Sequence, residues 1–274
     1  MSHNFDPGPV FSPFQELVAD YPGTDVYPAA DFRVEWGPIF HRGRLDGTAR
    51  VLVIGQDPAA SEDITRRILV GEAGHRTQGL LAKLGIDRSY VMINTYLYSV
   101  YGQRSSDDNQ QDEDIAAYRH RWLDAIAATS PLEAVIALGG AADAAWRTWK
   151  KATSSPAKDL PFAHVTHPTQ PESSSHNDPV KRAAATKTML KNWNGALDHL
   201  HPAVQHPDTP RPAGALRRHM GARRPGRHPG GRPARRRARL DAQHRSVGEA
   251  HGRDGGGQAE DRDDHDPRLS YGPR

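Results

Sequence analysis

The chain has 274 residues, a formal net charge of +3 and no cysteine, which excludes disulfides and any thiolate-held metal or iron–sulfur cluster. It contains no apolar run of about 18 residues and no basic-then-apolar leader, so neither a membrane span nor a secretory signal is expected and a cytoplasmic protein is. The charge is uneven: residues 201–274 hold 16 Arg against nine acidic residues, a net of +7, and the remainder is −4, so any affinity of that remainder for nucleic acid has to come from a local patch.

In chain order, Ser12-Pro13-Phe14-Gln15 has the N-cap, first-turn proline and glutamine of a helix start, and that helix should stop near Pro22-Gly23. A loop-rich stretch with Trp36, Phe40 and Arg42 leads to a first apolar run, Val51 to Gly55. Glu62 to Val70 is ambiguous between turn and short helix, whereas Gln78 to Leu84 is helical and is stopped by Gly85. A second run, Tyr90 to Asn94, is followed by a polar cluster at 105–109 that suits a surface loop. Ile115, Tyr118, Trp122 and Ile126 recur at helical spacing up to Pro131. Two further runs, Ala134 to Gly140 and Phe162 to His167, flank a helix over 141–151 and a loop over 152–161. Asp178-Pro179 opens a last amphipathic helix with Val180, Met189, Trp193 and Leu197.

Strands alternating with helices predict one three-layer α/β domain over residues 1–200, with a central four-stranded parallel sheet flanked by helices. Beyond residue 200, Gly, Pro, Arg, His and Asp dominate and no periodicity survives, so 201–274 is expected to be a disordered Arg/Gly/Pro-rich tail. The four apolar runs end in polar or glycine residues, and ligands of open α/β sheets bind beyond the strands' carboxyl ends. Asp57, Asn94 and His167 should therefore face one crevice. A carboxylate, a carboxamide and an imidazole there can position a water, read a planar amide-like ligand and stabilise a leaving anion.

These residues resemble the uracil-DNA glycosylase superfamily. Gly55-Gln56-Asp57-Pro58 looks like its water-activating motif, and His167-Pro168-Thr169 is similar to its His-Pro-Ser motif. The stretch from Gly55 to Gly74 (GQDPAASEDITRRILVGEAG) tracks the thermophile-type branch. Ile93-Asn94-Thr95 is similar to the strand carrying the base-reading Asn, and Leu138-Gly139-Gly140 to the superfamily's third strand; the resemblance spans residues 30–200. It implies a DNA repair glycosylase that hydrolyses the bond between uracil and deoxyribose and leaves an abasic site. Asp57 would position the water, His167 would meet the departing base anion as a neutral donor, and Asn94 would pair with uracil. Gln56, Pro58, Ala59 and Leu69 would line the base pocket. Ser61, Arg66, Arg67, Arg104, Thr169, Gln170 and Ser173 would contact DNA. The enzyme would be a monomer on uracil-containing DNA, without metal or other cofactor.

The chain also departs from the pattern. Thermophile-type enzymes carry a cysteine-ligated cluster; here the same region would be held by packing alone. Ala59 stands where the classical enzymes have a tyrosine that shuts out thymine's methyl group, and Leu69 where the thermophile-type pattern has an aromatic ring, leaving Tyr96 and Tyr98 as candidates to stack on the base. Gln170-Pro171-Glu172 follows the second motif where a leucine wedge is expected, and Glu172 would oppose phosphates. Singly, Asp57 before Pro58 also suits a turn, His167 a packed strand end, Asn94 a loop contact, and Arg66 and Arg67 a solvated face. Two rival functions follow: a glycosylase for hypoxanthine, xanthine or mispaired thymine, or a non-catalytic module that binds nucleic acid or a nucleobase.

Overall fold

The computed structural model describes residues 6, 8–102, 106–107, 109–110 and 112–217. Helix α1 (Phe14–Ala19) precedes strands β1 (His41–Gly43) and β2 (Val51–Gly55). Helices α2 (Ala60–Thr65) and α3 (Glu72–Lys83) connect to β3 (Tyr90–Asn94), and α4 (Glu113–Thr129) connects to β4 (Ala134–Leu138). Helix α5 (Gly140–Ala152), β5 (Phe162–Val165), α6 (Gln170–Ser175) and α7 (Pro179–Leu200) complete the order.

The strands lie in the order β1-β3-β2-β4-β5, with β3, β2, β4 and β5 parallel. The sheet has five strands rather than four, because β1 adds an antiparallel edge, pairing His41 with Ile93 and Gly43 with Val91. His-Arg-Gly carries no apolar run, so the sequence held no strand signal there. The four parallel strands were legible because both of their faces are covered. Leu52, Ile54, Val91, Ile93, Val135 and Ala137 join the core formed with α1, α4 and α5, including Trp122, Trp146 and Trp149. Their neighbours Val51, Val53, Met92, Ile136 and Val165 join a second core with α3 and α7, including Leu80, Leu81 and Trp193. Alternate residues of one strand thus feed opposite layers.

Helix boundaries follow caps. The Asp112 carboxylate accepts the Ile115 N–H to start α4, and Asp178 accepts those of Val180 and Lys181 to start α7. Helix α3 begins earlier than the sequence indicated, because Gly74, a weak helix former, sits in its first turn. A Cβ on Gly74 would lie 1.7 Å from the Leu69 carbonyl oxygen, so only glycine allows this approach. The serines at 173–175 are helical, in α6.

The expected boundary at residue 200 is corrected for 201–217, which pack on the domain; 218–274 lie outside the described residues. Val204 and Leu216 are buried in the second core. The Lys83 ammonium donates to the carbonyls of Pro212, Ala213 and Gly214. Asp208 accepts the backbone N–H groups of Asp87, Arg88 and Ser89 at 2.9–3.0 Å. These polar bonds, rather than an apolar period, fasten the segment. Burial pushes the Asp208 pKa up, but its three N–H donors outweigh this and hold it below the ordinary value. A depressed carboxylate stabilises the fold above its unfolded pKa and loses that contribution as pH falls through the folded one. Asp208→Ala should therefore cost about 1–3 kcal/mol at pH 7 and progressively less below the ordinary carboxylate range. Urea unfolding of both proteins across pH checks this.

Candidate functional site

Strands β2 and β4 are neighbours, yet the chain leaves β2 toward β3 on one side and β4 toward β5 on the other. This reversal of direction opens a crevice beyond the strands' carboxyl ends. Gly55, Asn94, Gly139 and His167 mark that edge.

Gly55 is paired with Asn94 in the β2–β3 register. A Cβ on Gly55 would lie 2.3 Å from Asn94 Oδ1, so the missing side chain makes room for the amide, while Leu69 Cδ1, at 3.8 Å, would be in ordinary contact. Thr95 donates from its N–H and its hydroxyl to the Gly55 carbonyl, and the Tyr96 N–H to that of Gln56. The strand pairing thus continues past the formal strand ends and fixes Asn94. Its Nδ2 is buried and has no hydrogen-bond partner. Such a donor is costly unless a ligand meets it.

Leu69 has φ 52, a left-handed conformation that a bulky side chain rarely adopts. A polar network holds it there. The Glu62 carboxylate accepts the N–H groups of Ala59 and Val70, and Arg42 donates to the Leu69 carbonyl. Arg66 donates to the carbonyls of Trp36 and Pro38 and pairs with Asp63; Arg67 pairs with Asp6 at 3.0 Å. Asp6 also accepts the N–H groups of Gly8 and Gly43 and meets His41. Burial pushes the Asp6 pKa up, but His41 and these two donors bring it down to about 2. The expectation that packing alone holds residues 55–74 is corrected: ion pairs and carbonyl contacts share the task. With no cysteine in the chain, the cluster of the thermophile-type branch has no thiolate ligands here.

Asp57 is half-buried, and burial pushes its carboxyl up to about 6. The Val100 N–H, the Gln56 side chain and the positive charge of Arg33 oppose that push. Val100 donates to Oδ2 at 3.1 Å. Its carbonyl in turn accepts Arg33 Nη1 at 2.5 Å, and Arg33 also donates to Ser99 Oγ. The guanidinium lies over the Tyr101 ring at 4.3 Å and the Trp36 ring at 5.1 Å, both within cation–π range. A rigid cation therefore sets the loop that orients Asp57.

His167 follows β5 and rests on Gly139, where a Cβ would lie 3.1 Å from its own. Its Nδ1 is 3.4 Å from the Thr169 N and 3.1 Å from the Thr169 hydroxyl. An N–H can only donate, so Nδ1 accepts and the ring proton is assigned to Nε2. Burial holds the imidazole pKa below its ordinary value, which keeps the ring neutral at pH 7. Arg76 fixes the next residue by donating to the Pro168 carbonyl, while it grips Glu172 with two bonds of 2.8 Å. Arg182 adds a second cation to Glu172, and Arg76 foremost holds that carboxyl down to about 2. Glu172 is thus neutralised by Arg76 and Arg182 rather than left to oppose phosphates.

Asp57, Asn94 and His167 stand on one edge of the sheet, each fixed by different neighbours. Pro58 is buried and Ala59 exposed at the start of α2. Ser61 is exposed; Gln170 continues from His167 through its N–H, and the Ser173 hydroxyl donates to the Gln170 carbonyl. Arg104 lies outside the described residues. Tyr96 and Tyr98 are not available to stack on a base: both rings are buried in the first core, with hydroxyls bonded to Ser106 and Pro22. Sequence reasoning missed Arg33, Glu62 and Arg76. Ala59 has no side-chain acceptor, so no capping-box pattern pointed to Glu62, and nothing in the sequence announced the other two.

Residues 42–218 match the family model of the Uracil DNA glycosylase superfamily. The chain belongs to this superfamily. A search of curated proteins gave no significant match. Membership makes the chain a DNA glycosylase, a hydrolase of base excision repair, and the matched span takes in the packed segment 201–217. Among the described residues no helix is long and apolar enough to cross a membrane.

The raised pKa of Asp57 has a definite sign. A carboxyl raised from 3.8 to about 6 stabilises the fold below its unfolded pKa, and that contribution is lost as pH rises through 6. Asp57→Asn, which removes the buried charge, should stabilise the protein by about 1–3 kcal/mol at pH 8 and by little at pH 4. Thermal melts of both proteins at the two pH values read this out. Arg33→Met should move the Asp57 titration, followed by carboxyl carbon NMR, to higher pH.

Proposed function

We propose that the chain removes uracil from DNA by hydrolysis, leaving an abasic site, and acts as a cytoplasmic monomer. The buried, unpartnered Nδ2 of Asn94 beside its own acceptor Oδ1 carries this reading. One carboxamide can donate to uracil O4 and accept from N3–H, whereas cytosine presents the reverse pattern and would leave buried groups unpaired. Leu69, across Gly55 from the amide, supplies an apolar wall.

When the bond from C1′ to the base breaks, negative charge moves onto the base and positive charge onto the sugar. A neutral His167 donating from Nε2 stabilises the base anion at its O2 without surrendering its proton. Asp57, ionised above pH 6, faces the sugar, stabilises the cation and orients the attacking water. Base flipping costs about a few kcal/mol, and phosphate contacts must offset it. Ser61, Thr169, Gln170 and Ser173 are proposed for these contacts. Arg66 and Arg67 are proposed with less capacity, since their guanidinium groups already bond to Trp36, Pro38, Asp63 and Asp6. Gln56 supports Asp57.

One observation favours a second reading. Ala59 is exposed and has no ring to exclude a 5-methyl group, so mispaired thymine, hypoxanthine or xanthine would meet little steric opposition from this position. Oligonucleotides carrying each base, treated with the protein and then alkali, separate the readings. Strand scission at uracil in single-stranded or duplex DNA is expected, and none in either rejects the uracil assignment. Asp57→Asn should lower the single-turnover rate by about 10²- to 10⁴-fold while leaving DNA affinity nearly unchanged. An unchanged rate removes Asp57 from the chemistry. The wild-type rate should fall as pH drops through about 6, the pH at which Asp57 takes up a proton.

A further inference from the structure

Helix α4 directs a charged side chain into the core. Arg119 is 4% exposed, and its Nε and Nη2 are both buried without a hydrogen-bond partner. Among the described residues, the side chains that act on its charge are the phenols of Tyr27 and Tyr96, with no carboxylate among them. Desolvation holds the guanidinium below its ordinary pKa, but an arginine does not lose its proton in a protein interior. A buried charge with two unmet donors is among the costliest features a fold can carry.

The space beside it is small and mixed in character. Arg119 lines a cavity of about 20 Å³ together with Tyr27, Asn94, Tyr96, Tyr118 and Trp122. A single water needs about 10–15 Å³ by the same measure, so one particle of roughly that size fits and a tetrahedral oxyanion does not. The Tyr118 hydroxyl is directed elsewhere, onto the Leu17 carbonyl. The indole rim and aliphatic walls from Ile39 and Ile93 favour a large, weakly hydrated ion over a small, strongly hydrated one. We propose that this cavity is a binding site for one monatomic halide, chloride in the cell, coordinated by Nε and Nη2 of Arg119. Asn94 also lines the site, whose occupancy does not depend on which base the enzyme removes.

The test compares the full-length protein in sodium bromide, sodium chloride and sodium gluconate at matched ionic strength. Halide binding only to the native state should raise Tm by about 2–4 °C over gluconate, and Arg119→Met should abolish the difference. Equal melting in all three salts overturns the proposal, as does a halide effect that persists in the variant. If the variant does not fold, crystals of the wild-type protein grown in bromide decide the matter. An anomalous peak within hydrogen-bonding distance of Arg119 supports the site, and density without anomalous signal, a water, refutes it.

Discussion

Withdrawing a carboxylate from water favours its protonated form, and at Asp57 that tendency is checked by a backbone donor whose own position is imposed from outside. Arg33, clamped between Trp36 and Tyr101, holds the Val100 carbonyl, and the N–H of the same residue holds Asp57. The outcome is a pKa near 6, high for an aspartate but low enough for an anion at neutral pH. A carboxylate kept partly dry and still charged interacts strongly with developing positive charge, because little solvent intervenes. His167 follows the same logic with the opposite sign: burial keeps it uncharged, and Thr169 keeps its proton on Nε2.

Rigidity at this edge comes from backbone contacts as much as from side-chain packing. Gly55 lets Asn94 close over β2, and Gly74 lets α3 press on the Leu69 carbonyl. Glu62, Arg42, Arg66 and Arg67 then tie the loop between them to β1, to the 36–38 turn and to the N-terminal Asp6. In a chain without cysteine this network holds the loop through ion pairs and carbonyl contacts, and Arg76 holds the His167 loop in the same way. Both loops are fixed through carbonyl acceptors. Such contacts use no special residue at the acceptor end, which makes them silent in a sequence.

That silence explains what could and could not be read in advance. The four parallel strands were legible because burial on both faces forces continuous apolar runs, and Asp57, Asn94 and His167 were legible because they sit where those runs stop. Strand β1 was not, since three residues at a sheet edge need no apolar face. Segment 201–217 was not, because Asp208 and the carbonyls around Lys83 hold it through backbone atoms. Tyr96 and Tyr98 follow β3 directly, but which way a strand extension points its side chains depends on pairing that only the fold reveals. Arg33 gave no signal, because it acts on Asp57 across a sequence gap through a third residue.

We propose that three side chains from distant stretches of chain meet one extruded base. The crystal structure of the Asp57→Asn variant bound to a uracil-containing oligonucleotide tests this most directly. Uracil is expected beside Leu69, with Asn94 Nδ2 about 3 Å from O4 and His167 Nε2 about 3 Å from O2. A base seated elsewhere, with Asn94 Nδ2 still unpartnered, would contradict it.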